Sequence, residues 1–203
     1  EEVAREEIDA HLPPGAVHQG LALAVAPLPQ PGLEEFVESL PPGPALLLIL
    51  DQVTDPHNVG AILRSSAVFG ASALVNTERN AAQETGTLAK AACGALELVP
   101  YLQVTNLARS LDWLKQAGFW VVGMAEEAQT TLGRQSLPDR LAVCLGAEGS
   151  GLRRLTREHC DLLLKVPARG SFCDLNVSNA AAVTLYELAG RGAGPESEAP
   201  ESK

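Results

Sequence analysis

Several common signatures are missing from this chain of 203 residues. Its four cysteines, Cys93, Cys144, Cys160 and Cys173, include no C-x-x-C pair, so neither a zinc site nor a disulfide framework is supported. They read as reduced thiols, mostly buried. His11, His18, His57 and His159 show no metal-ligand spacing, no G-x-S-x-G elbow accompanies them, and no carboxylate pair suggests glycoside chemistry. No metal is expected. A G-x-x-x-x-G-K-[ST] phosphate loop is absent, as is any internal repeat. No apolar run approaches the roughly 18 residues that a membrane helix requires. A membrane partner is therefore not expected.

Basic residues are also scarce. Lys and Arg number 15 against 25 Asp and Glu, a net charge of −10, which argues against gripping nucleic acid by bulk electrostatics. Much of the acid lies in residues 1–14 and near the C-terminus, so a local basic site is still allowed. Arg153, Arg154 and Arg157 cluster behind a glycine-rich stretch, and Arg169 follows. The chain does not open with Met, and its acidic start resembles no signal or transit peptide. It is expected to be a piece of a longer protein, from which a targeting segment could have been lost.

What is present, 46% hydrophobic and 20% charged residues, suits one sizeable domain with a full core. Residues 1–14 read as the end of an upstream helix or linker, 15–190 as the domain, and 191–203 as a disordered tail without apolar periodicity. A short strand is expected at 21–25 and a helix at Leu33–Ser39. Beyond them, strand-like runs at 46–50, 73–76, 96–99, 120–124, 141–145 and 162–166 alternate with helical patterns at 59–69, 85–93, 106–117, 151–159 and 176–189. That order implies an α/β fold, a mainly parallel sheet flanked by helices. The nearly continuous Leu, Val and Ala runs fit a sheet covered on both faces.

Three polar clusters each follow a strand. The first is Asp55-Pro56-His57-Asn58-Val59-Gly60 with Arg64 beyond it. The second is Gly146-Ala147-Glu148-Gly149-Ser150-Gly151-Leu152, and the third is Asp174-Leu175-Asn176-Val177-Ser178. Taken singly, Asn58 and Asn176 read as helix caps, Gly60 as a packing residue and Arg64 as a solvated cation. Jointly, Asn58, Arg64, Glu148 and Asn176 lie at strand ends or helix starts, which converge on one crevice in an open α/β sheet. The glycine spacing is G-x-x-G-x-G and occurs late in the chain, which weakens a dinucleotide oxidoreductase. Such glycines permit backbone groups to approach a flat ligand such as adenine.

The three clusters, D-P-x-N-x-G-x-x-x-R, G-x-E-G-x-G-L and L-N-V-S, resemble the signature motifs of the SpoU/TrmH branch of the SPOUT RNA methyltransferases. The match runs from about His18-Gln19-Gly20 to Gly190 and is most like mammalian mitochondrial rRNA 2′-O-methyltransferases of the TrmH type. The resemblance implies methylation of a ribose 2′-hydroxyl, in a guanosine of mitochondrial large-subunit rRNA, with S-adenosylmethionine as cofactor. It implies a C-terminal deep trefoil knot, a homodimer and a mitochondrial matrix location. It assigns catalysis to Arg64, Asn58, Glu148 and Asn176, cofactor binding to Gly146, Val166, Leu175, Glu148 and Ser178, and RNA contact to Arg64, Arg169 and Arg153. Arg64 would act either as base or as a cation beside the hydroxyl. An RNA-binding domain in the missing N-terminal part is a further expectation. Asp174 departs from the Ser that many relatives carry. A catalytically silent RNA-binding or ribosome-assembly factor on the same fold is the alternative.

Overall fold

The computed structural model describes residues 2–13, 15–170 and 174–190. Its centre is a seven-stranded sheet in which every pair is parallel. The strands are β1 (Ala45–Asp51), β2 (Ala73–Thr77), β3 (Tyr101–Val104), β4 (Trp120–Met124), β5 (Thr130–Thr131), β6 (Arg140–Gly146) and β7 (Leu162–Lys165), in the order β3-β2-β1-β6-β4-β7-β5. From β1 the chain builds outward through β2 to β3, and the other strands fill the opposite half. The switch falls between β1 and β6, which pair over their full length, with Asp51 opposite Gly146. The carboxyl ends of two such strands open a crevice.

Helices cover both faces. On one lie α3 (Pro56–Phe69), α4 (Gly86–Ala92) and α7 (Val177–Ala189), and on the other α2 (Leu33–Ser39), α5 (Leu107–Gln116) and α6 (Arg154–His159); α1 (Arg5–His11) precedes them. The period of two in a strand divides β1 between the layers. Leu48 and Leu50 pack with Ile62, Leu63 and Leu185, whereas Leu47 and Ile49 pack with Leu111 and Leu114. None of these side chains is more than 1% exposed.

Local chemistry fixes the helix starts. Asp55, with Pro56 next in the chain, caps α3 by accepting from the His57 N–H. The helix therefore begins three residues earlier than the apolar pattern indicates, and Asn58 is not its cap. Thr85 and Asn106 cap α4 and α5. Gly60 is where α3 meets α4: a Cβ there would lie 2.5 Å from the Ala91 Cβ and 2.7 Å from the Ala91 carbonyl carbon. Gly60→Ala must push the helices apart, and overpacking of this kind costs about 1–3 kcal/mol. Chemical denaturation should show a lower midpoint with an unchanged slope.

Two expected strands are not found. Residues 21–25 form no strand, and Leu21, Leu23 and Val25 are exposed. At 96–99 the chain forms a 3-10 turn, Ala95–Glu97, which buries Leu96 and Val99 without a ladder. Pro100 has no N–H to donate, and the strand starts at Tyr101 instead. The edge strand β5 was too short to register as an apolar run. Among the described cysteines, Cys144 is buried, Cys160 half-buried and Cys93 exposed; Cys173 and the expected tail 191–203 lie outside the described residues. The hydrogen bond with Cys160, and then burial, hold the Cys144 thiol well above the usual range.

Tyr101 secures the loop after β2. Its hydroxyl donates to the Ala82 carbonyl at 2.7 Å and accepts from Asn76 Nδ2 at 2.5 Å. Burial pushes its pKa up to about 12 from 10.0, against an opposing effect of the Asn76 hydrogen bond. The folded state thus holds the phenolic proton more tightly than the unfolded chain. Stability from this group is complete below pH 10 and is lost as pH rises through 12, by about 3 kcal/mol in all. An alkaline unfolding series should show that loss, and Tyr101→Phe should remove its pH dependence.

Candidate functional site

Beside the β1/β6 switch, at the carboxyl ends of β6, β4 and β7, lies a cavity of about 720 Å³. Its wall takes in the second and third motifs, and no residue of the first lines it. Residues 145–151 after β6 and 165–170 after β7 form two sides, and Asp174, Leu175, Val177 and Ala180 at the start of α7 form another. Gly146, Glu148, Val166, Leu175 and Arg169, all expected at the site, line it. The volume falls within the several hundred Å³ usual for cofactor clefts.

The second motif is a tight reverse turn. Gly151 N–H donates to the Ala147 carbonyl at 2.8 Å, Ser150 N–H to that of Glu148 at 2.9 Å, and Ala147 and Gly151 form an antiparallel bridge. Gly149 and Gly151 adopt φ of +73° and +63°, where any Cβ is strained. Gly146 is glycine for a different reason, since a Cβ would lie 2.0 Å from the Gly151 carbonyl carbon. The loop folds back over its own start and leaves its backbone facing the cavity.

Glu148, at the tip, joins the three motifs. Its Oε1 accepts from Asn58 Nδ2 at 3.0 Å and also from Asn176 Nδ2, which in turn donates to Asn58 Oδ1 at 3.0 Å. Asn176 does cap α7, as its simplest reading held: its Oδ1 accepts from Ser178 N–H at 2.9 Å and from Ser178 Oγ at 2.5 Å. Capping consumes the oxygen and directs the amide nitrogen toward the carboxylate. Residues 58, 148 and 176 thus form one closed cluster, with Ser178 behind it.

Arg64 stands apart. It lies on the exposed side of α3, six residues and about 9 Å along the axis from Asn58, and does not line the cavity of its own chain. Among the described residues it has no hydrogen bond or ion pair. Arg153 Nε is held by Asp51 at 2.6 Å, although the side chain remains 46% exposed. Arg169 is exposed on the cavity wall.

Sequence reasoning missed Asp51 and Arg79, and noted Arg157 only as one of a basic cluster. Asp51 is fully buried and binds the exit of the glycine loop. Its signal was an acid ending a wholly apolar strand. Arg157 donates to the Leu152 carbonyl at 2.9 Å and pairs with Glu127, and both side chains reach the cavity. Arg79 stands exposed on the loop after β2, at the same pole of the sheet. No group of three or more potential metal ligands occurs among the described residues, and no described helix is long and apolar enough to cross a membrane.

A parallel α/β sheet with a cavity at its carboxyl end, walled by a glycine loop that an Asn/Glu/Asn cluster ties down, is the arrangement of a cofactor-binding α/β protein. The model of the SpoU rRNA methylase family matches residues 45–186. The chain belongs to that family. It is 48% identical over 186 residues to the 23S rRNA (guanosine-2′-O-)-methyltransferase RlmB of Pseudomonas putida, covering 90% of this chain and 74% of that protein. It is 51% identical over 145 residues to RlmB of Coxiella burnetii, covering 71% of this chain and 58% of that one. These relatives are bacterial. Among solved structures, the SpoU methyltransferase AviRb from Streptomyces viridochromogenes, in complex with AdoMet, aligns with a TM-score of 0.73 at 25% identity, over 81% of this chain and 66% of that one. A putative RNA methyltransferase of the TrmH family from Porphyromonas gingivalis aligns at 0.70 and 26%, over 89% and 74%.

Proposed function

We propose that this protein transfers a methyl group from S-adenosylmethionine to the 2′-hydroxyl of a guanosine ribose in large-subunit rRNA. The observation that carries the reading is the cluster of Asn58, Glu148 and Asn176, which brings three motifs distant in sequence to the rim of one cavity. Support for the substrate comes from the relatives named for 23S rRNA guanosine. The cavity fits the cofactor, because the glycine turn presents unshielded backbone along one wall and Leu175 supplies an apolar surface.

When bound, the cofactor supplies an electrophilic methyl on a sulfonium. The chain's residues must then align the sugar oxygen with that methyl and provide for the hydroxyl proton. Gly146, Val166 and Leu175 hold the cofactor, with Ser178 supporting Asn176. The cluster fixes the first turn of α3 relative to the cavity, and so aims Arg64. A guanidinium stays charged throughout the range in which proteins fold. We therefore assign Arg64 the role of a cation that makes the ribose hydroxyl more acidic, while an RNA phosphate or water takes the proton. Arg169 and the exposed part of Arg153 meet the RNA backbone.

Arg64 can serve in this way if the protein is a homodimer. Side by side, α3 and α7 expose Val68, Val183 and Tyr186, the first one turn beyond Arg64. Isologous pairing of that apolar face would bring Arg64 to the interface. Sedimentation should give twice the chain mass, and Tyr186→Asp should halve it. The C-terminal deep trefoil knot and residence in the mitochondrial matrix rest on the motif resemblance. Chain tracing in a cofactor-bound crystal and fractionation of cells test them. Calorimetric titration tests the cofactor: S-adenosylmethionine should bind and NAD should not. Binding of NAD alone would overturn the reading.

A further inference from the structure

Asp51 ends β1 with its carboxylate fully buried. A buried carboxylate is tolerated only where donors surround it. Three do. Arg153 N–H donates to Oδ2 at 2.9 Å, Arg153 Nε to Oδ1 at 2.6 Å and Thr156 Oγ1 to Oδ2 at 2.7 Å. All come from the turn where the glycine loop passes into α6, a helix whose own N-cap side chain makes no capping bond. An acid more than 100 residues earlier caps it instead.

The placement matters because Asp51 is the register partner of Gly146, the first residue of that loop. Residues 146–152 therefore leave the sheet beside Asp51 and return to it. Among the described residues no other group donates to the carboxylate, so these bonds hold the loop's exit beside its start. With both ends fixed, the turn has little freedom, and Glu148 at its tip reaches Asn58 and Asn176. The strand that carries Asp51 also leads into Asp55 and α3. One buried group thus couples the first motif to the second.

We propose that Asp51, acting through Arg153 and Thr156, is a positioning residue that holds the glycine loop in its cofactor-binding shape before the cofactor arrives. This rests on the reading of the cavity as the S-adenosylmethionine site. A loop ordered in advance does not have to be ordered by binding, and affinity gains by that difference. In Asp51→Asn the amide keeps one acceptor but turns its NH₂ toward donors. Thr156→Val removes one donor and keeps the shape.

The test is calorimetric titration of the full chain with S-adenosylmethionine, beside thermal unfolding. Asp51→Asn should raise Kd tenfold or more, and Thr156→Val should raise it less but in the same direction. In turnover, KM for the cofactor should rise more than kcat falls. Leu102→Ala, a core variant on the edge strand β3, three strands away from β6, should lower Tm and leave Kd unchanged. If both site variants lower Tm but bind with wild-type affinity, Asp51 only anchors the fold and the proposal fails. If Asp51→Asn does not fold, Thr156→Val decides by the same criterion. A wild-type chain that does not bind S-adenosylmethionine would instead overturn the cofactor reading, and this one with it.

Discussion

Arg64→Ala should reduce methyl transfer by about 10²–10⁴-fold, the usual contribution of a group that assists proton removal, while binding S-adenosylmethionine with near wild-type affinity. The expectation follows from position. Arg64 is exposed on α3, does not line the cavity of its own chain, and makes no ion pair among the described residues. Removing it takes no support from the cofactor wall or the core, so Tm should move little. Single-turnover kinetics beside calorimetry would separate the two effects. Loss of cofactor affinity in parallel with activity would mean that Arg64 serves the cavity and not the ribose.

The second large effect is expected at Gly146→Ala. A methyl there would lie 2.0 Å from the Gly151 carbonyl carbon and 2.2 Å from the Leu152 nitrogen, both backbone. No rotamer change relieves such contacts. The turn must open, which displaces Glu148 and disturbs the exit that Asp51 holds. At about 1.4 kcal/mol for each factor of ten, a strain of about 3 kcal/mol carried by the loop weakens cofactor binding roughly a hundredfold. The same substitution at Gly149, where φ is +73° but nothing lies within 4 Å, should cost less. Equal Kd values for Gly146→Ala and wild type would show that the turn does not form the binding wall.

The layers of the fold were legible because β1, β4, β6 and β7 are unbroken apolar runs and α3, α5 and α7 have helical spacing. Short apolar stretches were ambiguous, since burial alone does not specify a ladder. Leu96 and Val99 are buried about a 3-10 turn while Leu98 is exposed, and residues 21–25 form no strand. The order of the strands could not be read, because nothing in one strand's pattern names its neighbours. At the site, three motifs with polar residues at strand ends were visible, and the cluster of Asn58, Glu148 and Asn176 realises their convergence. Asn58 was mistaken for a cap because Asp55 and Pro56 both precede it with capping chemistry. Asp51 and Thr156 escaped notice since they lie more than 100 residues apart in the chain. Arg64 was recognised by motif spacing, and its separation from the cavity wall belongs to three-dimensional placement alone.

The most direct test of the central claim is ribose-methylation mapping of large-subunit rRNA incubated with the protein and S-adenosylmethionine. The account predicts one new 2′-O-methyl mark, on a guanosine, absent with Arg64→Ala and absent when the cofactor is withheld. A methyl found on a base, or no ribose mark with a protein that binds the cofactor, would contradict it.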